Sequence, residues 1–241
     1  MKIYLLFLAI LPVSCFMIWI YYKDKYDKEP ILTLVKYFLV GILVSILCIF
    51  IELYFNYLNI FNGLASYIYV AFFVTAFTEE GVKSIILIPM LLREKHFNEK
   101  LDGIIYSIFL SLGFATIENI IYLMKEKSEL TLSLSITRGL ISIPTHIMFA
   151  ITMGYYISKY KFNKENNKNK YLYFAIITPV LLHGVFDFIL MTGYRWAIIV
   201  FIVYVMFLWK TNLDKLDKYT LYSKIRFYKR KNKRRKGDKV D

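Results

Sequence analysis

The chain has 241 residues, of which 58% are apolar and only 20% are charged, and its mean hydropathy is +0.48. Soluble domains are about half apolar and about a quarter charged, so this surplus of apolar side chains exceeds what one buried core can hold. The composition excludes a disordered chain, a disulfide-stapled secreted domain and a conventional soluble enzyme, and it predicts a protein that lies in the lipid bilayer.

Seven apolar segments are long enough to cross the bilayer as helices, which takes about 20 residues. We therefore predict an all-α, polytopic membrane helix bundle. Its predicted spans are residues 3–22, 31–55, 64–92, 102–124, 132–158, 171–192 and 195–210. The same boundaries divide the chain into a membrane bundle at 1–210 and a basic tail at 211–241.

Lysine and arginine are unevenly distributed over the connections between these segments. Alternate connections and the tail hold 24 of them, the opposite set holds four, and three lie within apolar segments. This bias predicts a multi-pass protein with its N-terminus outside and its C-terminus in the cytoplasm. The tail would then lie beside anionic lipid headgroups, so we interpret it as a topology anchor or lipid contact and predict no nucleic-acid partner.

Ionisable side chains inside the apolar segments indicate functional sites, because a charge at the bilayer centre is costly. In the third segment, Glu79 and Glu80 lie about midway, and Lys83 follows one helical turn later, where it can neutralise one of them. Adjacent residues point about 100° apart on a helix, so we expect one acid to face the reacting centre and the other a supporting partner. An intrahelical ion pair that only stabilises packing is the alternative.

The next three segments also carry polar side chains. These are Glu118 and Asn119 in the fourth segment, His146 in the fifth, and His183 and Asp187 in the sixth. Because neighbouring helices run antiparallel, these groups can converge with the acidic pair at one level of the membrane. Imidazole and carboxylate together suit Zn²⁺ or a similar ion.

A catalytic zinc has three protein ligands and a water, and a nearby glutamate can accept the proton of that water. The predicted metal ligands are Glu118, His146 and His183. The predicted catalytic residues are Glu79, Glu80, Lys83, Asn119 and Asp187. Glu79 or Glu80 would be the base. Asp187 and Asn119 would orient the metal-binding side chains or polarise a substrate carbonyl. Spacing does not decide which of the three glutamates is the base and which binds metal.

Several short motifs, in this order and at helical spacing, resemble the PrsW family of intramembrane proteases. They are the segment 22–30, Glu79-Glu80-Gly81-Val82-Lys83, the segment 114–119, His146, and the segment 183–187. The resemblance runs from the first helix to about residue 190 and implies an intramembrane endopeptidase. PrsW-like enzymes make the first cut in a membrane-anchored anti-sigma factor, so the implied partner is a single-pass membrane protein in a stress response.

The family is similar to the clan of CAAX prenyl endopeptidases and bacteriocin-processing enzymes. Glu79 and Glu80 match the paired acids of that clan, and His183 and Asp187 match its last motif. Glu118 departs from the pattern, because the clan has histidine there. Because of the similarity to this clan, a CAAX-type or leader-peptide endopeptidase is one alternative. An ion- or proton-coupled transporter is another, although it predicts two related halves and the sequence has no such repeat.

Overall fold

The computed structural model describes residues 3–125, 131–164 and 167–237, and all regular secondary structure in these ranges is helical. The described helices form seven continuous segments. They are α1 (Ile3–Lys23), α2 (Ile31–Tyr57), α3 (63–93), α4 (Lys100–Lys125), α5 (131–162), α6 (Lys170–Thr192) and α7 (Ala197–Gly237). Six of them are long and apolar enough to cross a membrane; the exception is α3, which carries the acidic pair. The prediction of an all-α membrane bundle is confirmed.

Two of these helices contain a stretch of wider, π-helical turns. In α3 the stretch is Tyr69–Phe77, and in α5 it is Arg138–Ser142. π-Turns are rare and occur frequently at functional sites. Each stretch ends a few residues before a predicted site residue, Glu79 in α3 and His146 in α5. The apolar pattern alone gave no indication of either stretch.

The central helix of the bundle is α4, in which every residue from Leu101 to Thr116 is buried. A Cβ on Gly113 would lie 1.9 Å from the carbonyl oxygen of Phe38 in α2. A Cβ on Gly154 in α5 would lie 2.2 Å from the carbonyl oxygen of Gly103. Only glycine fits at these crossings, and close approach at small residues is how helices associate in lipid. α4 thereby fixes the positions of α2 and α5 on either side of it.

The outer helices expose large apolar side chains over much of their length. Leu43 and Phe50 of α2 and Ile199 and Met206 of α7 are examples. An exposed apolar surface of this extent matches lipid rather than water. The chain is therefore a multi-pass membrane protein. Its two ends are called here the basic end, where α1 ends and α2 begins, and the opposite end, where α2 ends and α3 begins.

The last helix, α7, is 41 residues long and continues beyond residue 210, where the apolar run ends. At about 1.5 Å per residue it extends roughly 60 Å, about twice the hydrocarbon thickness of a bilayer. Its buried positions recur every three or four residues, so one face stays packed against the bundle. They are Leu208, Asn212, Leu216, Tyr219 and Ser223.

Beyond the apolar run, α7 contacts the connections at the basic end. Arg226 Nη1 donates to the carbonyl oxygen of Asn98 at 2.6 Å, and Arg230 Nη1 lies 2.9 Å from Asp27 Oδ2. The segment predicted as a basic tail therefore continues the last helix as far as Gly237.

Candidate active site

The acidic pair of α3 shares one lysine. Lys83 Nζ donates to Glu79 Oε2 at 3.1 Å and to Glu80 Oε1 at 2.7 Å. The same ammonium lies over the ring of Phe114, 3.7 Å from its centroid. All three charged side chains are buried. Because one lysine balances only one carboxylate, the second acid of the pair needs a proton or a further cation in this medium of low dielectric constant, where isolated charges are costly.

His183 connects this pair to α6. Its Nδ1 lies 3.2 Å from Glu80 Oε1, and its Nε2 lies 3.4 Å from Asp187 Oδ2, one turn further along the helix. The imidazole stacks on Phe149 with ring centroids 4.8 Å apart. An imidazole that is fixed between two carboxylates is well placed to bind a cation or to carry a proton.

Glu118 of α4 is paired with two residues of α5. Its Oε2 lies 2.7 Å from His146 Nε2, and its Oε1 lies 3.2 Å from Arg138 Nη2. Arg138 is 7% exposed; its Nε donates to Asn119 Oδ1 at 2.8 Å, and its guanidinium lies 4.0 Å from the ring centroid of Tyr122. The guanidinium therefore holds the Glu118 carboxylate in place beside the imidazole of His146.

His146 brings the two halves of the site together, because its ring centroid is 5.6 Å from that of His183. Its Nε2 is paired with Glu118, whereas its Nδ1 is buried and has no hydrogen-bond partner among the described residues. Buried polar atoms are almost always satisfied, so an unpartnered ring nitrogen marks a place for a proton, a water or a ligand.

Three donor side chains are close enough together to hold one metal ion. Donor atoms of Glu79, Glu80 and His183 lie within 4.8 Å of one another, and this is the one such group among the described residues. Of the sequence-predicted ligands, His183 belongs to this group, while Glu118 and His146 pair with each other beside it. Carboxylate and imidazole donors with excess negative charge fit Zn²⁺ or a similar borderline ion.

A cavity of about 670 Å³ lies beside these groups and extends toward the opposite end of the bundle. Glu79, Glu118, His146, His183 and Asp187 all line it. Its volume is in the range of ligand-binding clefts and cavities. Glu80 lies behind Glu79 and is 1% exposed.

The structure places Asn119 away from the cavity wall. Its Oδ1 accepts from Arg138, and its Nδ2 donates to the carbonyl oxygen of Ala9 in α1 at 2.8 Å. Its amide thus ties Arg138 to α1.

Two residues at the cavity received no role from the sequence. They are Arg138, which lies in the fifth predicted segment, and Glu52, which lies in the second. Both line the cavity. Both could have been found from the sequence, because each is an ionisable group inside an apolar segment.

A second group of buried acids lies at the basic end. Its members are Asp24, Glu29, Glu99 and Asp102. Asp24 Oδ2 accepts from the Glu29 amide at 3.1 Å, Asp102 Oδ2 accepts from the Glu99 amide at 2.7 Å, and the Tyr106 hydroxyl donates to Glu29. Burial raises the pKa of Asp24 and that of Glu29 to about 7.

Comparison with known proteins tests the resemblance. The family described as "PrsW family intramembrane metalloprotease" matches residues 29–211. The chain is 56% identical over 239 residues to Protease PrsW of Clostridioides difficile (strain 630), covering 98% of this chain and 100% of that protein. It is 33% identical over 210 residues to Protease PrsW of Bacillus subtilis (strain 168), covering 87% and 93% respectively. No solved structure matches the chain.

These matches confirm the relationship that the motifs indicated, and they favour a peptidase over a transporter. They span nearly the whole length of the chain, including all of the residues that the structure gathers around the cavity. The chain therefore belongs to the PrsW family of intramembrane metalloproteases and is a membrane endopeptidase.

Proposed function

We propose that this endopeptidase makes the first cut in a membrane-anchored anti-sigma factor, a single-pass protein, as part of a stress response. The observation that carries the proposal is the buried group of Glu79, Glu80 and His183 beside the Glu118–His146 pair, at one end of a lined cavity. The choice of substrate rests on the resemblance to PrsW-like enzymes.

Zn²⁺ is the proposed metal, with Glu79, Glu80 and His183 as the residues that would hold it. Asp187 would orient the His183 imidazole from its far side, as carboxylates commonly do for metal-bound histidine. When bound, the ion supplies Lewis-acid polarisation of the scissile carbonyl. The ligands predicted from the sequence were Glu118, His146 and His183, and His183 is the residue common to both sets. The 2.7 Å contact between Glu118 and His146 favours a role in proton transfer for these two residues.

His146 is the proposed proton carrier. Its free Nδ1 would accept the proton of the attacking water and return it to the amine nitrogen as the peptide C–N bond breaks. Glu118 would stabilise the imidazolium from the Nε2 side, as the acid of a catalytic triad does. Arg138 would act through Glu118 by keeping that carboxylate charged and aligned.

The direction of the cavity supports cleavage near the outer face. It extends toward the end of the bundle whose connections hold few lysines and arginines, and the positive-inside rule predicts that this end is the outer one. A CAAX-type enzyme would need a cytoplasmic opening instead. The proposal therefore includes an external N-terminus and a cytoplasmic C-terminus.

The test combines metal analysis with cleavage of a purified single-pass anti-sigma factor in proteoliposomes. We expect about one Zn²⁺ per chain in the wild type. Both metal and cleavage should be lost in Glu80→Gln and His183→Ala. His96→Ala is the matched control, because His96 is exposed in a connection, and it should retain both.

Two results would contradict the proposal. Full cleavage after complete chelation would overturn the metal assignment. Cleavage of other single-pass proteins, with the anti-sigma factor left intact, would overturn the substrate assignment.

A further inference from the structure

Glu52 of α2 is an ionisable group that the mechanism above does not use. It lines the same cavity as Glu79, Glu118 and Asp187. Each of those three acids has a basic or imidazole group within 3.4 Å. Glu52 has no hydrogen bond and no ion pair to any residue that the structure describes. It is therefore the one acid of the described cavity wall without a counter-charge.

One face of α2 runs along the cavity, and the position of Glu52 on this face gives its distance from the acidic pair. The residues of this face are Ser45, Cys48, Ile49, Glu52, Leu53 and Asn56, which are spaced as one side of a helix. Cys48 Sγ lies 3.8 Å from the carbonyl oxygen of Thr78, the residue before Glu79. Glu52 follows Cys48 by one turn, so it lies about 6 Å further toward the opposite end.

The charges of the cavity favour a cation next to Glu52. Glu79 and Glu118 line the same cavity as Glu52, so this part of its wall is rich in carboxyl groups. Four acids line the cavity, whereas the lysine and arginine side chains in its described wall are Lys125 and Arg138. A positively charged substrate group would supply the counter-charge that Glu52 lacks, and a paired charge within the membrane costs less than an unpaired one.

We propose that Glu52 is a specificity-determining residue that binds a lysine or arginine side chain of the substrate. An extended peptide advances about 3.3 Å per residue, so a distance of about 6 Å corresponds to about two residues. The basic side chain would lie about two residues from the cleaved bond, on the side that faces the opposite end. This inference rests on the proposed use of the cavity as the substrate site.

Binding to a catalytically disabled enzyme tests the inference separately from cleavage. The protein is Glu80→Gln, purified in detergent, and the probes are fluorescent apolar single-span peptides. One lysine is moved residue by residue through the middle of the peptide, and each peptide has a glutamine counterpart. At one or two adjacent positions, the lysine peptide should bind about tenfold more tightly, which corresponds to one charge-assisted hydrogen bond.

Variants on the same helical face identify the responsible residue. Adding Glu52→Gln should bring the lysine-to-glutamine ratio of affinities close to one, and Glu52→Lys should shift the preference to a glutamate peptide. Asn56→Leu, one turn further along the cavity face, is the matched control and should keep the lysine preference. Glu52→Asp retains the charge and should keep a smaller preference. Thermal unfolding of each variant shows whether it is folded.

The outcomes separate this inference from the proposed function. A lysine preference at no position, or one that persists in Glu52→Gln, would overturn the inference. Selective binding combined with no cleavage by the wild-type enzyme would contradict the proposed function and leave the role of Glu52 standing.

Discussion

The two groups of buried acids differ in how their charge is balanced. At the cavity, Glu80 and Glu118 lie within 3.2 Å of lysine, arginine or histidine nitrogens. At the basic end, Asp24 accepts from a backbone amide and Glu29 from a hydroxyl, and burial raises the pKa of each to about 7. A buried acid alone therefore does not identify a catalytic site. The cavity group differs in that the imidazoles of His146 and His183 lie beside its acids, and the proposed catalytic site rests on this combination.

The largest expected difference between the two groups is in activity. Glu80→Gln should lower kcat/KM for a membrane substrate roughly a thousandfold or more, because it removes a proposed metal donor and a partner of both Lys83 and His183. Asp24→Asn should change kcat/KM by less than about twofold, since Asp24 lies at the basic end. Cleavage in proteoliposomes at matched amounts of folded protein measures both. Comparable losses of kcat/KM in the two variants would contradict this difference between the cavity and the basic end.

A smaller loss is expected when a counter-charge is removed from the cavity group. Arg138→Met should lower kcat by about a hundredfold with little change in KM, because Glu118 then loses its guanidinium partner and keeps only His146. Arg138→Lys should recover part of this loss, since it keeps the charge and loses the forked geometry. Arg226→Met removes an arginine at the basic end and should leave kcat unchanged. Equal effects of the two methionine variants would contradict the role of Arg138.

At the basic end, the expected effect is on stability and depends on pH. The folded-state pKa of Asp24 is raised from 3.8 to about 7, so its protonated form stabilises the fold. This stabilisation is complete below about pH 4 and is lost as the pH rises from about 4 through about 7, with a magnitude on the order of 4 kcal/mol. Thermal unfolding between pH 4 and 8 should show this decline, and Asp24→Asn should make it shallower while the contribution of Glu29 remains. An unchanged profile in the variant would assign the decline to other groups.

The smallest effect is expected at the exposed ion pairs of α7. The side chains of Arg230 and Asp27 are 46% and 38% exposed. Arg230→Ala should therefore lower the free energy of unfolding by no more than about 0.5 kcal/mol. The difference from wild type should shrink further at high salt. A destabilisation of several kcal/mol in thermal unfolding experiments would show that this contact holds α7 in place.

Much of the fold could be predicted because the bilayer imposes a length on each apolar segment. All seven predicted segments correspond to helices, and most bounds agree within a few residues. The largest difference between predicted and observed bounds is at the C-terminal end of α7. Loss of apolarity at residue 210 marks where lipid contact ends, whereas the helix continues because one of its faces still packs against the bundle.

In the site, pairs along one helix were predictable and pairs between helices were not. Glu79–Lys83 and His183–Asp187 follow from a spacing of four residues. The pairing of Glu118 with His146 depends on how α4 and α5 are rotated about their axes, which the apolar pattern does not specify. Glu52 was overlooked because it lies near the end of an apolar run, where charged residues are commonly expected at the lipid interface.

The two π-helical stretches have a consequence for how this enzyme can evolve. The stretch Tyr69–Phe77 contributes Val70, Val74 and Thr75 to the cavity wall, and the acidic pair follows it in regular helix. Gain or loss of one residue within the stretch would rotate the preceding helix relative to Glu79 and Glu80. Insertions and deletions there can thus change which side chains line the cavity while Glu79 and Glu80 stay in place.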